Sequence, residues 1–164
     1  MTDRILSNYA TSKLKNESLK FKDHFDYDKK ESFLKSLIPG INMYRLPEVK
    51  ESQTNLKKAQ KNLTDIVGDK KLRIPGLDSL LASPIGLVKC GINEMIYVFN
   101  IQMAAMSVYQ GDQDLTMTHL ALATAGLLLK YCDYVEINKE KSRMDNLAKS
   151  AYNIGQEIKE KLDK

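Results

Sequence analysis

Five polar side chains lie within two otherwise apolar stretches of the sequence and are the best candidates for chemistry. These residues are Lys89, Asn93, Glu94, Asn100 and His119. A carboxylate or an imidazole held in an apolar pocket can acquire the shifted pKa that acid–base catalysis requires. The same strip could instead meet a neighbouring subunit. The simplest interpretation, which we favour, is that these groups face the solvent side of the bundle seam. A subunit contact comes second, and a small pocket remains open as a role.

Motifs for metal, nucleophilic and phosphate chemistry are missing from the sequence. His24 and His119 are the two histidines, and no CxxC, HExxH, G-x-S-x-G or phosphate-binding glycine pattern occurs. Cys90 and Cys132 each fall in a helix predicted to be buried. Burial makes a thiol inert, so we expect reduced core cysteines rather than a nucleophile or a disulfide. We predict no metal and no cofactor.

A second candidate set is basic and lies in the first half of the chain. Residues 1–72 carry 15 Lys and Arg against 10 Asp and Glu, a net charge of +5, whereas residues 73–164 carry 10 against 11. Lysines interleaved with Phe21 and Phe25 are typical of nucleic-acid binding, because rings stack on bases and ammonium groups meet phosphates. A solvated segment anchored by its phenylalanines is the simpler interpretation. The candidate nucleic-acid-binding residues are Lys13, Lys15, Lys20, Lys22, Lys57, Lys58 and Lys61.

The polar strip must be positioned by the two apolar stretches, 84–110 and 115–135. Ser83-Pro84 is a favourable helix start, and Gly111 is placed to end the first helix. This helix is apolar nearly all round, which is typical of a helix buried in a core. The short polar link between the stretches predicts an antiparallel helical hairpin.

A membrane span needs about 20 predominantly apolar residues. The first stretch contains Lys89 and Glu94, and the longest apolar run of the second covers only residues 120–129, with Thr124 inside it. The sequence therefore favours the buried core of a soluble bundle over a membrane span. In the second stretch, small and polar residues recur on one stripe, which would let another backbone approach closely. This stripe contains Thr116, His119, Ala123, Gly126, Lys130 and Asp133.

The remaining segments predict shorter elements. We expect a short helix over 1–16, another over 28–38, and an extended segment over 41–47. A further helix over 52–67 should end at Gly68, and an amphipathic C-terminal helix should begin after a cap at Asn138.

This pattern predicts an all-α fold built on the central hairpin. The expected organisation is an N-terminal arm over 1–47 that packs on a single helical-bundle domain over 48–164. The composition of the 164 residues agrees with this class, since 43% are hydrophobic, 28% are charged and tryptophan is absent. No apolar segment typical of a signal peptide is present near the N-terminus, which indicates a cytoplasmic or virion location.

Association is the function that these features favour most. We expect a non-enzymatic structural or assembly subunit that self-associates or binds a protein, with possible contact to DNA or RNA through its basic half. A front extension followed by a helix pair resembles, in outline, the helical coat proteins of filamentous archaeal viruses; a small ribonucleoprotein subunit fits as well. The alternatives are a monomeric or dimeric protein-binding module, such as an adaptor, chaperone or immunity-type protein, and a small helical enzyme with a pocket around Glu94.

Overall fold

The computed structural model describes residues 2–25, 27–74 and 77–162, and it gives only the backbone of residues 2, 3 and 22–24. The described residues contain no strand, so the predicted all-α class is confirmed. They form five helices. These are α1 (Thr2–His24), α2 (Lys29–Ser36), α3 (Ile41–Val67), α4 (Pro84–Gln110) and α5 (Gln113–Leu162).

Capping chemistry sets the ends of α4 and the start of α5. The Ser83 hydroxyl accepts the N–H of Ile85 at 3.2 Å, and Gly111 ends α4 with a left-handed φ of 74°. Asp112 then accepts the N–H of Leu115 at 2.9 Å, which satisfies a donor in the first turn of α5. These caps confirm the predicted bounds of α4, because each supplies a partner that the helix end lacks.

Three predicted element ends are wrong. α1 continues to His24 rather than ending near residue 16, since no glycine or proline interrupts that segment. α3 begins at Ile41, where an extended segment was expected. Pro47 lies inside α3, although an interior proline removes an N–H donor and crowds the carbonyl of the preceding turn. α5 continues past Asn138 without a break, because residues 127–154 contain no glycine or proline.

The chain divides into two compact units. Unit 1 comprises Met1–Asp26, Glu48–Ser79 and Lys139–Lys164, and unit 2 comprises Tyr27–Pro47 and Leu80–Asn138. α3 and α5 therefore contribute residues to both units.

Unit 1 contains an aliphatic core. Residues from three segments of the sequence are buried together there, and polar contacts join the same segments. Tyr9 donates a 2.7 Å hydrogen bond to Glu157, and Ser7 donates a 2.5 Å bond to Asp69. The buried core residues of this unit are Ala10, Leu14, Val49, Leu56, Leu63, Val67, Leu72, Ile74, Met144, Leu147, Ala151, Ile154 and Ile158.

Unit 2 has a more polar interior. Its largest fully buried side chain is Lys130, and several other polar groups are buried with it. Burying such groups costs free energy unless they are paired, so their partners decide how the helices of this unit pack. The buried polar residues are Ser32, Ser36, Asn42, Glu94, Asn100, Ser107, Lys130 and Asp133.

Candidate association surface

Lys130 lies at the centre of the contact between α4 and α5. Its ammonium group donates to Glu94 Oε1 at 3.1 Å and to the carbonyl oxygen of Ile38 at 2.8 Å. It also lies 4.9 Å from the centroid of the Tyr97 ring. A buried ammonium group is tolerated only with partners of this kind. The α4–α5 contact is therefore built around an ion pair rather than around aliphatic side chains.

Asp133 forms a second polar cluster on the same side of α5. The Asn93 side-chain amide donates to Asp133 Oδ2 at 2.6 Å, and the Lys89 ammonium lies 3.0 Å from Oδ1. Lys89 also pairs with Glu136 at 2.7 Å. The Asp133 side chain is 2% exposed, so this carboxylate is compensated by two α4 residues instead of water.

A third polar contact lies nearer the turn. Asn100 donates its amide N–H to the Ile96 carbonyl at 2.8 Å, and its amide oxygen lies 2.8 Å from His119 Nδ1. An amide oxygen can only accept, so Nδ1 must carry the proton in this arrangement. His119 is thereby held by α4 as a hydrogen-bond donor.

Gly126 lets the two helices approach closely. A Cβ added at Gly126 would lie 2.7 Å from the backbone nitrogen of Tyr97 and 2.9 Å from its Cα. The sequence predicted that small residues on this stripe admit another backbone, and that backbone is α4. We call the whole inward contact the polar seam; it consists of Lys89, Asn93, Glu94, Asn100, His119, Lys130, Asp133 and Glu136.

The contacts along the polar seam have antiparallel order. Lys89 meets Glu136, Glu94 meets Lys130, and Asn100 meets His119. The seam therefore runs from the start of α4 to a position near the turn at Gly111.

The opposite side of both helices is apolar and exposed. Sixteen large apolar side chains of α4 and of residues 113–129 are exposed, and we call this set the apolar surface. Its members are Ile85, Leu87, Val88, Ile92, Met95, Phe99, Ile101, Met106, Val108, Tyr109, Leu115, Met117, Leu120, Leu122, Leu128 and Leu129.

The expectation that this helix pair is the buried core is wrong. The polar strip of α4 and the polar stripe of α5 complement each other in charge and hydrogen bonding, so they pack together. This pairing turns the remaining, apolar circumference of both helices outward. The expectation of burial is correct for Cys90 and wrong for Cys132, which is exposed. Both cysteines are free thiols.

Hydroxyl groups near the apolar surface are satisfied within their own helix. Thr118 donates to the Asp114 carbonyl at 2.9 Å, and Thr124 donates to the Leu120 carbonyl at 2.8 Å. Serine and threonine hydroxyls on a helix can bond in this way to a carbonyl of the preceding turn. These two threonines therefore add little polarity to the exposed side of α5.

The hydropathy of α5 is high enough for a membrane span. Within the described residues, α5 is the one helix with an 18-residue segment apolar enough to cross a membrane, at a mean hydropathy of 1.2. Only 17% of that segment is buried. Burial inside the protein therefore does not explain why this part of α5 is so apolar.

A groove of about 600 Å³ lies beside Glu94 and is lined mainly by apolar side chains. Met43, Met95 and Phe99 are among its lining residues, and Glu94 and Asn100 also reach it. Glu94 Oε2 is buried without a hydrogen-bond partner. Asn93 and His119 face the polar seam rather than this groove. Within the described part of the chain, no cluster of three metal-ligating side chains occurs.

The basic candidates of unit 1 differ in their surroundings. Lys13 pairs with Glu157 at 2.7 Å, and Lys20 pairs with Glu17 at 2.9 Å. The hydrogen bond with Glu157, and then that with Tyr9, raises the pKa of Lys13 above its usual value. These two lysines already have anionic partners. Lys15, Lys57, Lys58 and Lys61 are exposed, and the side chain of Lys22 lies outside the described residues.

Sequence reasoning placed Lys130 and Asp133 on the correct stripe but gave them no role. The sequence pattern that could have identified this role is the spacing of residues 119, 123, 126, 130 and 133, which places them on one side of α5. A lysine and an aspartate on a stripe that otherwise carries small residues are unusual enough to have suggested internal partners.

Comparisons with protein-family models, curated proteins and solved structures find no match for this chain.

Proposed function

We propose that the chain is a non-enzymatic subunit that acts by association through the apolar surface of α4 and α5. The observation that carries this proposal is the orientation of the helix pair, which buries Lys130 and leaves sixteen large apolar side chains in contact with solvent. Monomeric soluble proteins rarely expose an apolar patch of more than a few hundred Å² unless it meets a partner.

The contacts of Glu94 and His119 favour this role over catalysis. Lys130 neutralises Glu94, and Asn100 holds His119, so both candidate acid–base groups hold the helices together. The groove beside Glu94 offers one carboxylate among apolar side chains rather than a pair of reacting groups.

The finer parts of the hypothesis, a coat-like role and contact with nucleic acid, are further proposals. The exposed Lys15, Lys57, Lys58 and Lys61 support contact with DNA or RNA, whereas the ion pairs of Lys13 and Lys20 weaken their share in it. Binding that persists after these four lysines are changed to glutamine would contradict this addition.

The main experiment compares association before and after one part of the apolar surface is made polar. Met117 and Ile5 are both 66% exposed, and Ile5 belongs to unit 1. Met117→Gln combined with Met95→Gln tests the surface, and Ile5→Gln is the matched control. Each chain is purified in mild detergent, diluted below the micelle concentration, and measured by light scattering with and without lipid vesicles.

The proposal predicts that the wild type and Ile5→Gln self-associate or bind vesicles once detergent is removed. The double variant should remain monomeric over a wider range of protein concentration. A wild-type chain that is a stable monomer without detergent, and that ignores vesicles, would contradict the proposal.

A further inference from the structure

We infer that the partner of the apolar surface is a lipid bilayer, into which residues 95–110 of α4 and residues 113–129 of α5 insert side by side. This inference rests on the proposed function, because it names the partner of the same surface. Four features of unit 2 favour lipid over a second copy of the chain: the width of the apolar surface, its small number of polar groups, its length and its charge pattern.

The apolar surface wraps around the helices instead of forming one stripe. Leu120, Ala121 and Leu122 are consecutive residues and all are exposed. Successive residues of an α-helix are turned by about 100°, so these three cover about 200° of the circumference. A helix that meets one protein neighbour needs an apolar stripe of roughly half that width. Lipid chains contact every side that protein leaves open.

Most polar side chains between the helices have internal partners, as a hydrocarbon environment requires, and the exception is Glu94 Oε2 at the boundary of the span. The polar seam pairs the charged and amide side chains between the helices, and Thr118 and Thr124 bond to their own helix. Gln102 is the exposed amide of the central part of α4. A single amide among so many apolar neighbours is compatible with insertion, although it is the least favourable position.

The uncharged part of the helix pair matches the thickness of a bilayer. Between Glu94 and Lys130 the charged residues are Asp112 and Asp114, both at the turn. Residues 95–110 and 113–129 extend for about 25 Å at the rise of an α-helix, close to the roughly 30 Å hydrocarbon core. The ion pair of Glu94 with Lys130 would then lie near one boundary of the hydrocarbon.

The charge pattern along the sequence gives the insertion a direction. No Lys or Arg occurs between Lys89 and Lys130, whereas Lys139, Lys141 and Arg143 follow on α5. Segments rich in Lys and Arg stay on the side of the membrane where the protein was made, and short links without them cross more readily. The turn around Gly111 is therefore the part that crosses, and Tyr109 beside it suits the lipid–water interface.

The test uses vesicles of phosphatidylcholine, which carry no net charge and so do not attract the basic residues of the chain. A polarity-sensitive fluorophore is attached to Met117→Cys in a chain that also carries Cys132→Ser; Cys90 is buried and stays in place. Ile5→Cys is the matched control, because its side chain has the same exposure in unit 1.

Insertion predicts that the label at 117 is quenched by spin-labelled acyl chains and that the label at 5 is not. Replacing Leu120 and Leu122 by glutamine should lower the partition coefficient into vesicles by about tenfold or more, because two leucines would no longer enter hydrocarbon. Hydrogen exchange of the unsubstituted chain gives an independent reading, since vesicles should protect residues 115–129.

The possible outcomes distinguish a failure of the bilayer inference from a failure of the proposed function. A chain that self-associates through residues 117 and 120, with no lipid quenching and no vesicle protection, would overturn the bilayer inference and leave the association proposal intact. A chain that neither self-associates nor binds vesicles would overturn both. Lipid quenching at 117 in a vesicle-bound chain would support both.

Discussion

Lys130→Met is the substitution that should disturb the helix pair most. The methionine fills nearly the same volume as the lysine, so packing changes little, but the Glu94 carboxylate loses its cation. The two side chains are 1% and 9% exposed, so water cannot replace the lost partner. The Ile38 carbonyl and the Tyr97 ring lose the ammonium group as well.

The expected cost is about 3–5 kcal/mol, the usual penalty for leaving one member of a buried ion pair without its partner. A second substitution separates this penalty from the value of the pair. Glu94→Leu together with Lys130→Met removes both charges, and such exchanges are often close to neutral. The double variant should therefore regain most of the loss. It should fall short by about 1 kcal/mol, because the Ile38 carbonyl loses the ammonium donor and keeps only the 3.3 Å bond from the Ile41 N–H.

Hydrogen exchange of α4 amides, with the chain in mild detergent, measures this effect locally. A loss of 3–5 kcal/mol corresponds to a fall in protection of about two to three and a half powers of ten. The single variant should show this fall between residues 89 and 100, and the double variant should not. Equal protection in the wild type and Lys130→Met, or a double variant as poorly protected as the single one, would refute the account of the polar seam.

Two further predictions concern the close approach of the helices and the pH dependence of unit 1. Gly126→Ala should lower the stability of the α4–α5 contact by about 1–3 kcal/mol relative to the control Gly91→Ala. The added Cβ at Gly126 would meet the Tyr97 backbone, whereas a Cβ at Gly91 would meet only a side chain at 3.8 Å. Thermal unfolding followed by circular dichroism compares the two variants, and equal melting temperatures would contradict the prediction. The hydrogen bonds from Lys13, and then from Tyr9, lower the pKa of Glu157 from 4.5 to about 2, so their stabilisation is present above pH 4.5 and is lost as the pH falls toward 2. Glu157→Gln should flatten this part of the stability profile of unit 1, and an unchanged acid profile would show that the ion pair contributes nothing.

Local chemistry made α4 predictable. Ser83, Pro84 and Gly111 determine where this helix begins and ends, and each acts within a few residues of itself. The same kind of reasoning failed at two residues inside helices. Pro47 disfavours a helix interior but does not forbid it, and Asn138 alone does not stop a helix. Local preferences of this kind yield to the packing of buried neighbours such as Val49 and Ile137.

Which side of α4 and α5 faces solvent was harder to predict than the presence of the two helices. Periodicity identified the polar strip of Lys89, Asn93 and Asn100, but a strip of polar residues usually faces water. Here it faces α5 because Lys130 and Asp133, separated from it by some 40 residues, supply the complementary charges. A single sequence shows both stripes without showing that they pair.

The most direct test of the central claim is a label scan across three consecutive residues of the apolar surface, at positions 120, 121 and 122. Each residue is replaced by cysteine, labelled, and mixed with phosphatidylcholine vesicles that contain spin-labelled acyl chains. The account predicts strong quenching at all three positions, because lipid surrounds this side of α5. Quenching at none of them, or at one alone with the others shielded by protein, would contradict it.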